Sequence, residues 1–348
     1  MISVFSNSSN SSRTFVLVIT AALLPISFII ALSFGTVSLP FNETLQALFG
    51  QSTNQQVNII IDQIRLPRAL LTLLIGALLS ICGAVTQGLF RNPLADPSLI
   101  GVTAGASMGA AIIIFFAAST SVLEGILGIS LISVGAFIGG IFTVTLVYKL
   151  ATNKNGTSVA TMLLAGIAIT AIAGGLTSLI EFFADNEMLR RISLWRMGGL
   201  ENANYQHALI ALFICIVVLG FLPRFSNTLN ALLLGESEAR HLGIAVQKNK
   251  ILIIILVALG IATSVALAGS ITFVGLIVPH IIRLLIGPDH RYLLPISALG
   301  GAILLLLADT LARTVFAPIE LPVGLVTALL GAPFFISLLR YRHEFAMQ

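Results

Sequence analysis

The chain has 348 residues, 57% of them apolar and only 9% charged, with a mean hydropathy of +1.03. Soluble domains use roughly 45–50% apolar residues, so a soluble globular fold is excluded. The net charge of +4 carries no nucleic-acid signal, because surplus Lys and Arg in a membrane protein mostly report which side each loop faces.

Apolar runs of about 20 residues, long enough to cross the hydrocarbon core, recur along the whole length. The Ser/Asn-rich start, residues 1–14, reads as a disordered tail ahead of a single transmembrane domain, 15–348. Arg13 and the run from Phe15 to Phe34 superficially resemble a signal peptide, but the run is too long and lacks a cleavage site, so it is the first span. Spans are expected at 15–35, 68–88, 98–117, 126–148, 158–183, 207–223, 250–270, 272–281 (a short one), 293–314 and 322–340. The expected fold is an all-α polytopic membrane protein of about ten helices. Gly101-x3-Gly105-x3-Gly109, Gly135-x3-Gly139 and "LLAGIAITAIAGG" have the small-residue spacing that lets membrane helices pack closely. Cys82 and Cys215 sit in apolar runs without a CxxC and read as buried free thiols, with no metal site.

Placing both termini in the cytoplasm puts most of the 18 Lys and Arg residues there, including every lysine. The longest cytoplasmic loop then holds "LLLGESEARHLG", within a segment of about 224–248. Glu236 and Glu238 precede Arg240 and His241, and Gly243 follows, so the charges complement a short helix's dipole. Two turns cannot hold themselves together in water, so this helix must dock on something. Leu234, Ala239 and Leu242 form its small apolar set.

"GAVTQGLFRNP" (83–93) and "GSITFVGLIVP" (269–279) echo one another at the ends of oppositely directed helices, suggesting an inverted internal repeat. There is no GxxxxGK[ST] loop with which to cradle a nucleotide. One intramembrane acid stands out, Asp309, with Arg313 four residues on and able to pair with it. An ion-coupled carrier using Asp309 is the competing reading.

Four stretches carry a resemblance: "RLPRALLTLLIGALLSICGAVTQGLFRNPLADPSLIGVTAGA", "LLLGESEARHLG", "GSITFVGLIVPHIIRLLIGPDHRYLLP" and "ADTLARTVFAPIELPVGLVTALLGAPFFISLL". They span residues 65–339 and resemble the permeases of bacterial ABC importers for vitamin B12, haem and ferric siderophores. The resemblance implies a type II ABC importer permease of the inner membrane, working as a homodimer with two cytoplasmic ATPase subunits and an extracytoplasmic binding protein. It implies no enzyme activity and no cofactor on this chain; ATP and Mg are used by the partner ATPase.

Residue roles follow from the resemblance. Arg65, Arg68 and Arg313 would receive binding-protein carboxylates, with snorkelling anchors as the alternative. Asn92, Leu94, Thr157 and Ser158 would narrow the cytoplasmic gate, with ordinary helix capping as the alternative. Leu234, Gly235, Glu236, Ala239, Arg240, Leu242 and Gly243 would couple to the ATPase, Ala239 being where a larger side chain blocks close approach. His280 would be a structural hydrogen-bonding residue. Arg190, Arg191 and Arg196, on a short interfacial helix, would line the substrate mouth and suit an anionic chelate. The likeness points to haem first, then a ferric siderophore, then cobalamin.

Overall fold

The computed structural model describes residues 10–117, 126–153 and 156–346. Residues 1–9 of the expected tail and Lys154 lie outside the described residues. Residues 10–14, assigned to the tail from composition, belong instead to the first helix, α1 (Asn10–Ser33). Among the described residues seven helices are long and apolar enough to cross a membrane, and three shorter apolar helices take the remaining expected positions.

A short helix α2 (Phe41–Leu48) follows α1. Next comes α3 (Gln55–Leu89), a continuous 35-residue helix that widens into a π turn over Ile60–Arg65, just ahead of Pro67. Proline can donate no hydrogen bond, and such widening is a common accommodation within a helix. A 3-10 turn (Pro97–Ile100) leads into α4 (Val102–Ala117), followed by α5 (Ile126–Ala151). Two-residue strands, Thr152–Asn153 and Gly156–Thr157, pair before α6 (Val159–Phe183). Then follow α7 (Asn186–Met197), α8 (Tyr205–Phe221), α9 (Ser226–Leu234) and α10 (Glu236–His241). The chain finishes with α11 (Val246–Ala268), α12 (Val274–Ile286), α13 (His290–Thr314) and α14 (Val323–Ala346).

At the centre, α3 packs against α13, α12, α11 and α8. Backbones meet there because glycines face each other: a Cβ on Gly76 would overlap the Gly301 carbonyl, and one on Gly83 would overlap that of Gly275. The stripes at 105/109 and 135/139 interlock α4 with α5 in the same way. This is the close backbone approach expected of membrane helices, which lack a hydrophobic force between them. Gly174 and Gly175 in α6 differ, since among the described residues no other element comes within 4 Å of a Cβ built on either.

Helices α3 and α11 pack against each other, and the two echoing stretches differ locally. Gly83 lies inside α3, whereas Gly269 caps α11 with φ +65°. Cys82 and Cys215 are buried free thiols.

Candidate functional site

Functional candidates gather at the two ends of the bundle. At one end α3 begins nearly three turns upstream of the first expected arginine, so Arg65 and Arg68 lie inside a helix. Val57 and Ile61 of that extension pack with Ala31, Leu32, Ala47, Ala69 and Leu306 into a small core that covers them. Arg65, Arg68 and Arg313 are consequently only 5, 7 and 5% exposed. Arg65 Nη1 donates to the Leu32 and Ser33 carbonyls (2.6 and 2.8 Å), and Nη2 donates to Val37 O. Arg313 donates to Ala31 O (2.9 Å) and Phe34 O (3.2 Å). Two guanidinium groups thus bond the carbonyls at the end of α1 and in the turn that follows it.

Asp309 binds the pair together. Its Oδ2 accepts from Arg313 Nε at 3.0 Å, and its Oδ1 accepts from Arg68 Nε and Nη2 at 3.1 and 2.9 Å. Arg68 also reaches Glu320 at 2.7 Å. The expected Asp309–Arg313 pair is present, inside a four-residue network. Arg65, Arg68 and Arg313, expected to receive binding-protein carboxylates, each also bond groups within the chain. The same geometry counts against an ion relay, because guanidinium N–H groups occupy both Asp309 oxygens.

α7 is capped by Asp185, whose Oδ1 accepts from Met188 N–H at 2.8 Å. Its other end is pinned where Gly199 N–H donates to Ala268 O and Gly324 N–H donates to Gly198 O. Arg190, Arg191 and Arg196 are all exposed. Arg191 pairs with Glu187 at 2.7 Å and Arg196 with Glu181 at 3.0 Å. Arg190 has no ion-pair partner among the described residues. A cleft of about 500 Å3 runs along the helix, lined by Arg191, Trp195, Glu201 and His207 among others.

At the opposite end, the segment expected to be a loop is helical. α9 is buried through Ser226, Thr228, Leu229, Ala231 and Leu232. α10 forms where the charge pattern placed it, between Gly235 (φ +121°) and Gly243 (φ +80°), conformations that glycine adopts without a Cβ penalty. Ala239 is 0% exposed and belongs to the main core, so it seats α10 on its own bundle. Leu234 and Leu242 are the apolar side chains left outside, 69 and 65% exposed. Arg240 is exposed, its Nε donating to Glu236 O.

The gate candidates make local bonds. Asn92 Oδ1 accepts from Leu94 N–H at 3.0 Å, and Ser158 Oγ caps α6 by accepting from Thr161 N–H. Among the described residues no hydrogen bond joins the Asn92–Leu94 turn to Thr157–Ser158. Thr157 is buried, its N–H donating to Gln247 Oε1 at 3.0 Å and its carbonyl accepting from Lys250 Nζ at 2.9 Å. Lys250 is 1% exposed and also pairs with Glu236 at 2.5 Å. Sequence reasoning missed Lys250, Gln247 and Glu320, whose partners lie far away along the chain.

A second network at this end joins α9 to α13. Asn230 Oδ1 accepts from His290 N–H, and Asn230 Nδ2 donates to Asp289 at 2.8 Å. Burial raises the Asp289 carboxyl, but the Asn230 amide, the Arg291 N–H, Arg13 and Arg291 together hold it below its ordinary value. His280 is buried and meets Phe334 edge-on. Gly105, Ser107 and Gly109 have the Gly-x-Ser-x-Gly spacing of a hydrolase elbow, but they lie within α4 and lack its strand-to-helix turn.

The chain is 44% identical to the hemin transport permease HmuU of Yersinia pestis over 89% of this chain and 90% of that one. It is 42% identical to the cobalamin import permease BtuC of Halobacterium salinarum, over 86% of this chain and 78% of that one. It is 36% identical to the iron(3+)-hydroxamate permease FhuG of Bacillus subtilis, over 93 and 96%. A solved structure described as a "metal-chelate type ABC transporter", in an inward-facing conformation, superposes with a TM-score of 0.80 at 33% identity, covering 94% of this chain and 99% of that one. Residues 23–341 match the FecCD transport family throughout. The chain therefore belongs to that family, the permeases of ABC importers for iron chelates and vitamin B12, whose ATPase is a separate subunit.

Proposed function

We propose that the chain forms the membrane path of a haem importer of the bacterial inner membrane. Two copies would line that path, two cytoplasmic ATPase subunits would drive it, and an extracytoplasmic binding protein would deliver the cargo. Both termini and α10 face the cytoplasm in this reading. The 44% identity to a hemin permease carries the substrate assignment. The cationic mouth supports it, since Arg190, Arg191 and Arg196 suit the two propionates of haem.

α6 is the face proposed to meet the second copy. Leu164, Ile167, Ile172, Leu176 and Phe182 are exposed, and Gly174 and Gly175 leave open space beside them. Contiguous apolar surface of this kind needs lipid or protein against it. Asn92, Leu94, Thr157 and Ser158 would stand at the cytoplasmic end of the path. Leu234, Glu236, Arg240 and Leu242, held by Gly235 and Gly243, would meet the ATPase.

The 42% identity to a cobalamin permease favours a second reading, cobalamin import. Uptake of haemin, a ferric hydroxamate and cobalamin by the reconstituted complex, measured side by side, separates them. ATP-dependent uptake of haemin is the expected result. Uptake of only cobalamin or only the hydroxamate overturns the haem assignment.

A further inference from the structure

Among the described residues Lys250 is the largest side chain buried below 2% exposure, yet it is a basic side chain and comes from the first turns of α11. Its Nζ joins two elements that are otherwise separate in sequence. It donates to Glu236 Oε1 at the head of α10 (2.5 Å) and to the carbonyl of Thr157 (2.9 Å), directly ahead of the α6 cap residue Ser158. Gln247, one turn earlier, accepts from the Thr157 N–H at 3.0 Å. Both backbone polar groups of Thr157 are therefore held by side chains of α11. One ammonium carries the connection onward to α10.

Stability alone does not call for this arrangement. A buried ion pair replaced by apolar residues of similar volume is often neutral or stabilising, and its best-attested use is to specify one arrangement of elements. Lys250 stands where three segments meet, and two of them are the ATPase-facing helix and the foot of the path-lining helix. Hydrogen bonds at 2.5 and 2.9 Å from one atom leave little freedom for α10 to shift without displacing Thr157. Leu234 and Leu242 give α10 its outward grip, and Ala239 gives it its inward seat.

We infer that Lys250 is a positioning residue that transmits displacement of α10 to the start of α6, through its bonds to Glu236 and the Thr157 carbonyl. The inference rests on the reading of α10 as the ATPase-coupling helix. It assigns the link between ATP hydrolysis and gate movement to one side chain.

The test uses the assembled complex with a nitroxide on Ala160→Cys, an exposed position in the first turn of α6. Cys82 and Cys215 are buried and stay unlabelled. The distance between the two labels, one per protomer, is measured by pulsed electron paramagnetic resonance with and without ATP and vanadate. Wild type is expected to show a nucleotide-dependent distance change. Lys250→Met, which keeps most of the volume, is expected to keep its ATPase subunits and their hydrolysis while losing that change, with transport per ATP falling about tenfold. Should Lys250→Met not accumulate, Lys250→Gln, a shorter side chain without the ammonium, is read for the same loss of distance change. A normal distance change in either variant overturns the link. The coupling reading itself is checked separately with Leu234→Asp/Leu242→Asp. If that variant still retains the ATPase, α10 is not the coupling helix, whatever Lys250 does.

Discussion

Arg68 and Asp309 meet across the bundle from α3 and α13, with two guanidinium nitrogens at 3.1 and 2.9 Å from a single carboxylate oxygen. Arg313 holds the other oxygen at 3.0 Å. Asp309→Asn removes the charge shared by two buried cations. Breaking a buried pair from one side costs about 3–5 kcal/mol. A markedly lower melting temperature in detergent is expected, with residual uptake still ATP-dependent and indifferent to a pH gradient. Uptake driven by a pH gradient without ATP, and lost in this variant, would restore the carrier reading.

Reversing Arg68 carries a similar cost for a different reason. Arg68→Glu would set a third carboxylate beside Asp309 and Glu320, so accumulation of folded protein should fall before any docking defect can be read. Normal yield and thermal stability by fluorescence-detected chromatography would contradict the buried geometry.

Ala239 and the leucines flanking α10 should separate cleanly. Ala239→Asp puts a carboxylate into a core position that is 0% exposed, with an unpaired-group penalty of about 1–3 kcal/mol or more. It should lower stability of the chain by itself. Leu242→Asp, on an exposed side chain, should leave stability unchanged while ATPase co-purification drops. Equal stability of the two variants would show that α10 is not seated as described.

Glycines provide an internal contrast. Gly83→Val must push against the Gly275 backbone, whereas Gly175→Val meets open space within the chain. Overpacking of a tight contact costs about 1–3 kcal/mol. The first variant should lose thermal stability. The second should keep it and shift the dimer-to-monomer ratio seen by light scattering. A stable dimer in Gly175→Val would move the second copy away from this part of α6.

Arg190 is the mouth cation without an ion-pair partner among the described residues. Arg190→Glu should reduce haemin uptake about two- to fivefold, the range of an exposed charge pair, and the loss should shrink as salt is raised. Undiminished uptake at low salt would return α7 to the role of an interfacial anchor.

Local features of this protein were legible without a structure. Apolar run length announced the spans, because the hydrocarbon core sets a minimum helix length. The 105/109 and 135/139 stripes announced a tight helix pair, and the Glu236–His241 charge order announced α10, because both depend on spacing within a few turns. The helix α2 carried a weaker signal, Glu43 in the first turn after Pro40, which passes for a polar loop beside long apolar runs. Gly174 and Gly175 looked like packing glycines, but spacing alone does not say whether a neighbour is present.

Partner choice for charged side chains belonged to the tertiary structure. Arg65 and Arg68 resemble exposed anchors when α3 is started at residue 68. They become buried once the helix reaches back to Gln55 and α2 closes over it. Lys250 finds Thr157 across 93 positions, and Arg68 finds Asp309 across 241. A charge's surroundings are set by which helices pack beside it, and in a bundle held by backbone approach that packing is decided by glycine pairs such as Gly76–Gly301. Sequence periodicity reports which face of a helix is apolar or small; only the packed bundle decides which carboxylate or carbonyl stands opposite each cation.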